Sequence, residues 1–226
     1  MLARSPSLAA RVTGSPQLHR WQRFADRLCR LFGRIRVTGL ELVPDTGPAI
    51  LAVNHTSFMD GPLLFGLLDR PVSFLVKAEA FEPAAGLAGR ILCRAGQLPV
   101  RRYQIDPGPV RYGLELLRRG GILGMFPEGR RGAGLAHTVR PGVGYFAVKT
   151  GAPVLPVAVL GSGRTVRTAT RSLVDIRFGE PLSFPAGIVV NRARWLAAAE
   201  VVRQALAELV AETAAERARD LVRGRS

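Results

Sequence analysis

The chain has 226 residues, 47% hydrophobic and 22% charged, with 32 Lys+Arg against 17 Asp+Glu and a formal net charge of +15. This balance excludes disordered, collagen-like and disulfide-scaffold proteins, and two cysteines make no disulfide framework. No charge-free stretch reaches the ~18 residues of a spanning helix, so an integral membrane protein is excluded as well.

Length fits one domain of moderate size with an appended element. The charge excess asks for an anionic partner: nucleic acid, an anionic membrane surface or a phosphorylated substrate. The Arg:Lys ratio of 30 to 2 by itself reflects GC-rich coding. The opening residues lack a secretory n-region, h-region and A-x-A series, so an intracellular location is expected.

Residues 1–16 carry Ser, Pro, Gly and Arg without periodicity and read as a mobile tail. Over Gln17–Arg34, at about 100° per residue, Leu18, Trp21, Phe24, Ala25, Leu28, Leu31 and Phe32 fall within an arc of about 140°. Arg20, Arg23, Arg27, Arg30 and Arg34 gather opposite. Trp21, Phe24 and Leu28 beside Arg20, Arg23 and Arg27 form the pattern of a helix lying in a bilayer interface. The competing reading is a helix that packs its apolar face on the domain.

From residue 35 onward, strand-like runs alternate with helical stretches. Strands are expected at Ile35–Gly39, Ala49–Val53, Val72–Val76, Gln97–Val100, Ile122–Phe126, Val154–Leu160 and Leu173–Phe178. Helices are expected at Pro62–Leu68, Ala84–Arg94, Pro109–Arg118, Val143–Thr150 and Arg192–Arg219. The alternation predicts an α/β layered domain over 35–226, with a mostly parallel or mixed central sheet of about seven strands flanked by helices. An N-terminal amphipathic docking helix within 1–34 precedes it.

Four blocks carry chemistry. Asn54-His55-Thr56-Ser57-Phe58-Met59-Asp60 follows an apolar strand, and Gly61-Pro62 sets the next helix start beyond it. A strand-to-helix loop lets Asp60 accept the Nδ1–H of His55, leaving Nε2 as a general base. Phe126-Pro127-Glu128-Gly129-Arg130-Arg131-Gly132 offers guanidinium forks for phosphate oxygens. Gly96-Gln97-Leu98-Pro99-Val100-Arg101-Arg102 delivers two more arginines at a strand end, and Val154-Leu155-Pro156-Val157 reads as core. No His/Cys/carboxylate cluster has metal-ligand spacing, so no metal is expected.

Taken in chain order, the blocks resemble the 1-acylglycerol-3-phosphate acyltransferase family, whose pattern is N-H-x-x-x-x-D, G-x-x-x-V-x-R, F-P-E-G-x-R and V-x-P-V. The likeness spans roughly residues 36–180. It implies that His55 deprotonates an acceptor hydroxyl as it attacks an acyl thioester, with Asp60 orienting it. It implies that Arg101, Arg102, Glu128, Gly129, Arg130 and Arg131 surround the acceptor's phosphate. No covalent enzyme intermediate is needed, and no cofactor is expected beyond acyl-CoA or acyl-carrier protein as co-substrate. The implied partners are a lysophospholipid acceptor, an acyl thioester donor and an anionic membrane surface, not nucleic acid. The implied place is the cytoplasmic face of the cell membrane, held peripherally. Arg130 replaces a common small hydroxyl residue and Arg140 a common lysine, which leaves the acceptor open to another lysolipid or a glycolipid. A thioesterase using the same pair, or a non-catalytic binding module, stays as the alternative.

Overall fold

The structure, a computed structural model, describes residues 16–82, 86–101, 107–132, 134–163, 172–186 and 191–224, without the side chains of 16, 17, 28–33 and 172. The chain runs α1 (Pro16–Phe32), β1 (Gly33–Thr38), β2 (Ala49–Val53), α2 (Asp60–Leu67), β3 (Val72–Lys77), α3 (Gly86–Arg94), β4 (Leu98–Val100) and α4 (Pro107–Arg118). It continues through β5 (Ile122–Met125), α5 (Gly142–Thr150), β6 (Val154–Leu160), β7 (Ser172–Phe178) and α6 (Arg192–Val222). Two 3₁₀ turns, Leu40–Leu42 and Ala78–Phe81, stand where no element was expected. Both are too short for a period to register. The segments 1–15, 83–85 and Arg102 lie outside the described residues.

The seven strands form one sheet in the order β1-β7-β6-β2-β5-β3-β4. Strands β6, β2, β5, β3 and β4 are mutually parallel, while β7 runs antiparallel to β6 and β1 parallel to β7. Helical crossovers favour parallel neighbours, and the resulting strands are buried on both faces. Every residue of β2 is accordingly buried. Ala49, Leu51 and Val53 face α1 and α2 with Leu18, Leu63, Leu64 and Phe65. Ile50 and Ala52 face α4, α5 and α6 with Leu117, Phe146 and Val202.

Proline in a central strand normally removes a ladder bond. Pro156 stands opposite Ala52, and its carbonyl accepts from Gly179 N–H at 2.9 Å, just past the end of β7. Its ring nitrogen faces the same partner and cannot donate to the Gly179 carbonyl, so the proline removes one bond at the very end of the β6–β7 ladder.

The N-terminal helix does not lie on the centre of its apolar arc. Leu18 and Gln22 are buried, whereas Trp21 is partly covered and Phe24 is 53% exposed. The Gln22 amide donates to the carbonyls of Leu68 at 2.9 Å and Arg70 at 3.2 Å. A Cβ on Gly66 would sit 2.5 Å from the Asp26 nitrogen, so α1 crosses α2 at backbone contact. That close crossing seats the helix on one edge and turns Phe24 outward. The segment set apart at 1–34 by composition thus packs on the domain through its described helix.

Candidate active site

The carboxyl ends of the five parallel strands share one edge of the sheet, where open α/β folds place their sites. The first block leaves β2 there. The helix after it begins at Asp60 itself, not at Pro62, so Asp60 is the first helical residue and Pro62 falls in the first turn, where a missing N–H costs nothing. The loop Asn54–Met59 curls around the Asp60 carboxylate. Oδ2 stands 3.0 Å from His55 Nδ1 and accepts from the Thr56 N–H at 2.9 Å and the Ser57 N–H at 2.8 Å. Oδ1 accepts from the Ser162 hydroxyl at 2.6 Å. A fully buried carboxylate of this kind survives only when its lone pairs are met. The contact at Nδ1 leaves Nε2 as the nitrogen able to take a proton.

The block after β5 closes over the same histidine. Glu128 Oε1 accepts the His55 backbone N–H at 3.1 Å, and the His55 carbonyl accepts from Gly132 N–H at 3.0 Å. The Phe126 ring stacks on the imidazole at 4.0 Å and 22°, and Phe74 stacks on Phe126 at 5.2 Å. Burial pushes the Glu128 carboxyl up from its ordinary value, opposed by the His55 N–H, the neighbouring His55 and His137, and the Ala136 N–H. Gly129 sits at φ +71°, and a Cβ there would meet Arg140 Nε at 2.2 Å. The Arg140 side chain therefore lies across the Glu128–Gly129 turn, and the Arg140 backbone N–H donates to Pro127 O at 2.7 Å.

Residues expected to converge on phosphate divide. Arg101 is exposed at the end of β4, and Arg130 and Arg131 are exposed beyond β5, on the same sheet edge as His55. Arg102 lies outside the described residues. Glu128 is turned to the His55 peptide. On α1, Arg20, Arg23 and Arg27 are exposed with Phe24; Leu28 lies on the helix with its side chain outside the described set. No cluster suited to a metal occurs among the described residues.

Three further residues complete the site. Asn54, fully buried, donates to the carbonyls of Gly134 at 3.1 Å and Val159 at 3.2 Å and accepts the Val159 N–H at 2.7 Å. It ties β2, β6 and the loop after β5 together. Its place before His55 was its only signal in the sequence. Ser162 carried none, and Phe126 read as a strand end.

A mostly parallel α/β sheet thus carries, at the carboxyl ends of its strands, an imidazole backed by a buried carboxylate. The model of the acyltransferase family matches residues 34–160, more than half of the chain, and the chain belongs to that family. Among its relatives, a chloroplastic 1-acyl-sn-glycerol-3-phosphate acyltransferase of Arabidopsis thaliana is 29% identical over 150 residues, 64% of this chain and 41% of that protein. The chain thus spans about two fifths of the plant enzyme. The 1-acyl-sn-glycerol-3-phosphate acyltransferase of Bacillus subtilis is 26% identical over 79% of this chain and 89% of its own. The crystal structure of the 1-acyl-sn-glycerophosphate acyltransferase PlsC from Thermotoga maritima superposes with a TM-score of 0.61 at 28% identity, covering 85% of this chain and 79% of that one.

Proposed function

We propose that the protein transfers a fatty acyl group from an acyl thioester, acyl-CoA or acyl-carrier protein, to the free hydroxyl of a lysophosphatidic acid-like acceptor. The reading rests on one observation: His55 Nδ1 held at 3.0 Å by the buried Asp60 carboxylate. His55 Nε2 takes the acceptor's proton as its oxygen attacks the thioester carbonyl, and Asp60 stabilises the imidazolium. Collapse of the tetrahedral intermediate expels the thiolate, which takes the proton back from His55. The acyl group passes directly, with no covalent enzyme intermediate. The exposed guanidinium groups of Arg101, Arg130 and Arg131, with Arg102, would hold the acceptor's phosphate.

The names of the relatives support the same acceptor class. Both acceptor and product are lipids, so α1 would dock the enzyme at the cytoplasmic face of an anionic membrane. No helix among the described residues is long and apolar enough to cross a bilayer. Arg130, where a small hydroxyl residue is common, favours testing other lysolipid and glycolipid acceptors as well.

The test incubates the full chain with acyl-CoA and lysophosphatidate, reading thiol release and the acylated lipid by mass spectrometry. Transfer that His55→Ala abolishes is expected. Thiol release at the same rate without acceptor would make the protein a thioesterase, and retained transfer in His55→Ala would end the general-base mechanism.

A further inference from the structure

The two oxygens of Asp60 are treated differently. Oδ2 is held by three N–H contacts from its own loop, whereas Oδ1 meets the hydroxyl of Ser162, 102 residues further along the chain. Ser162 is 1% exposed and Asp60 fully buried, so bulk water cannot replace that partner. A carboxylate has no proton to give, so the Ser162 hydroxyl must donate to Oδ1 at 2.6 Å. Its oxygen then accepts from Thr56 Oγ1, 3.1 Å away. The hydroxyl chain Thr56–Ser162–Asp60 therefore runs in one direction and ends on the carboxylate behind the base.

We propose that Ser162 is a positioning residue of the catalytic pair, its hydroxyl locking the Asp60 carboxylate in the rotation that keeps Oδ2 on His55. This rests on the general-base reading of His55. The torsion that turns an aspartate carboxylate is broad. The loop N–H groups pin one oxygen only, so the plane of the carboxylate is set by whatever holds the other. The fold delivers Ser162 accurately because β6 lies beside β2 in register, Val53 opposite Val157, and Asn54 extends the pairing through both polar groups of Val159. Behind it, Arg217 of α6 lies against Gly161 and pairs with Asp175 of β7.

Other charged groups surround the pair. Glu128 faces it from the loop after β5, with His137 in the same loop. Arg217 approaches through Gly161 from α6. Helix α2 carries no other charge than Asp60, and β6 carries none. Losing the Ser162 donor leaves all of these in place. The carboxylate then has one hydrogen bond fewer to spread its charge, and the pH dependence of the reaction moves with it.

The experiment uses the full chain with acyl-CoA and lysophosphatidate, comparing Ser162→Ala, Ser162→Thr and Ser162→Cys. Ser162→Ala should lower kcat about 10- to 100-fold, leave both KM values nearly unchanged, and move the acid limb of the kcat/KM profile upward. The chain has three histidines, so a ¹⁵N-histidine spectrum reads the His55 tautomer directly. It should change from one dominant Nδ1–H form to a mixture while His19 and His137 keep their signals. Ser162→Thr, which keeps the hydroxyl, should restore most of the rate. If Ser162→Ala fails to fold, Ser162→Cys, similar in volume but a weak donor, should give the same tautomer change. Unchanged kcat, acid limb and tautomer in the folded variant would overturn the proposal, as would equal loss in the Ala and Thr variants with an unchanged tautomer. Activity surviving in His55→Ala would instead overturn the general-base reading, whereas an inactive His55→Ala beside a normal Ser162→Ala removes Ser162 alone.

Discussion

Glu128 and His55 are joined through the peptide and not through the imidazole: the His55 N–H donates to Glu128 Oε1 at 3.1 Å. The acidic member of the Phe126–Gly132 block thus anchors the backbone of His55. A carboxylate accepts and repels anions, so this position suits a clamp better than a phosphate contact.

Replacing Glu128 separates clamp from charge. Glu128→Gln keeps an oxygen for the His55 N–H and should hold acyl transfer within a few-fold of the parent, whereas Glu128→Ala should lose on the order of 10²-fold. Burial raises the folded carboxyl above its ordinary 4.5. The folded state then binds the proton more tightly than the unfolded chain, and stability from this group falls as pH climbs through 4.5 towards the raised value. Glu128→Gln has no such slope. Its Tm relative to the parent should therefore increase across that window, measured by thermal unfolding at a series of pH values.

Asp60→Asn tests charge at constant geometry. The amide oxygen can take the place of Oδ2, and its NH₂ can donate to Ser162, so each hydrogen bond has a replacement. What disappears is the negative charge that stabilises the imidazolium. Activity should fall on the order of 10²–10⁴-fold with the fold retained, read as kcat beside Tm.

The aromatic stack makes a distant glycine matter. A Cβ at Gly124 of β5 would lie 2.4 Å from the Phe74 ring, and Phe74 supports Phe126, which lies on His55. Gly124→Ala should displace the stack, cost about 1–3 kcal/mol of stability by overpacking and lower kcat. Urea unfolding and steady-state rates check both effects.

The outward edge of α1 should be separable from catalysis. Phe24→Glu combined with Arg20→Glu, Arg23→Glu and Arg27→Glu reverses the exposed face without touching Leu18 or Gln22, which hold the helix to the domain. Sedimentation with anionic vesicles should be lost, while transfer to a water-soluble short-chain acceptor continues. Unchanged sedimentation would assign membrane binding elsewhere.

Much of the fold was readable from local pattern. The strand pattern placed all seven strands to within one or two residues: β2, β5 and β6, buried on both faces, read as uninterrupted apolar runs, whereas β1 and β7 alternate apolar with charged residues. The ends shifted where hydrogen bonding overruled composition. Strand β5 stops at Met125 because Phe126 turns to the imidazole, and α2 starts at Asp60, two residues before the proline that marked it. For α1 the arc of apolar side chains was correct, but the buried edge runs through Leu18 and Gln22. A contact with another helix depends on where the backbones can approach, and Gly66 decides that.

By itself the sequence determined the seven strands, the helices between them and the blocks at the strand ends, because period, turn residues and residue spacing act over a few residues. It also assigned the positive charge to the polar face of the N-terminal helix and to the strand-end blocks, and the structure leaves Arg20, Arg23, Arg27, Arg101, Arg130 and Arg131 exposed there. Only the tertiary structure decided that Glu128 holds the His55 peptide, that Asn54 ties three elements together and that Ser162 closes on Asp60. Those contacts join residues about 70 to 105 apart. They exist because strand order sets β6 and β5 on either side of β2, and a hydrogen bond has no strength until both partners have been brought to the same place.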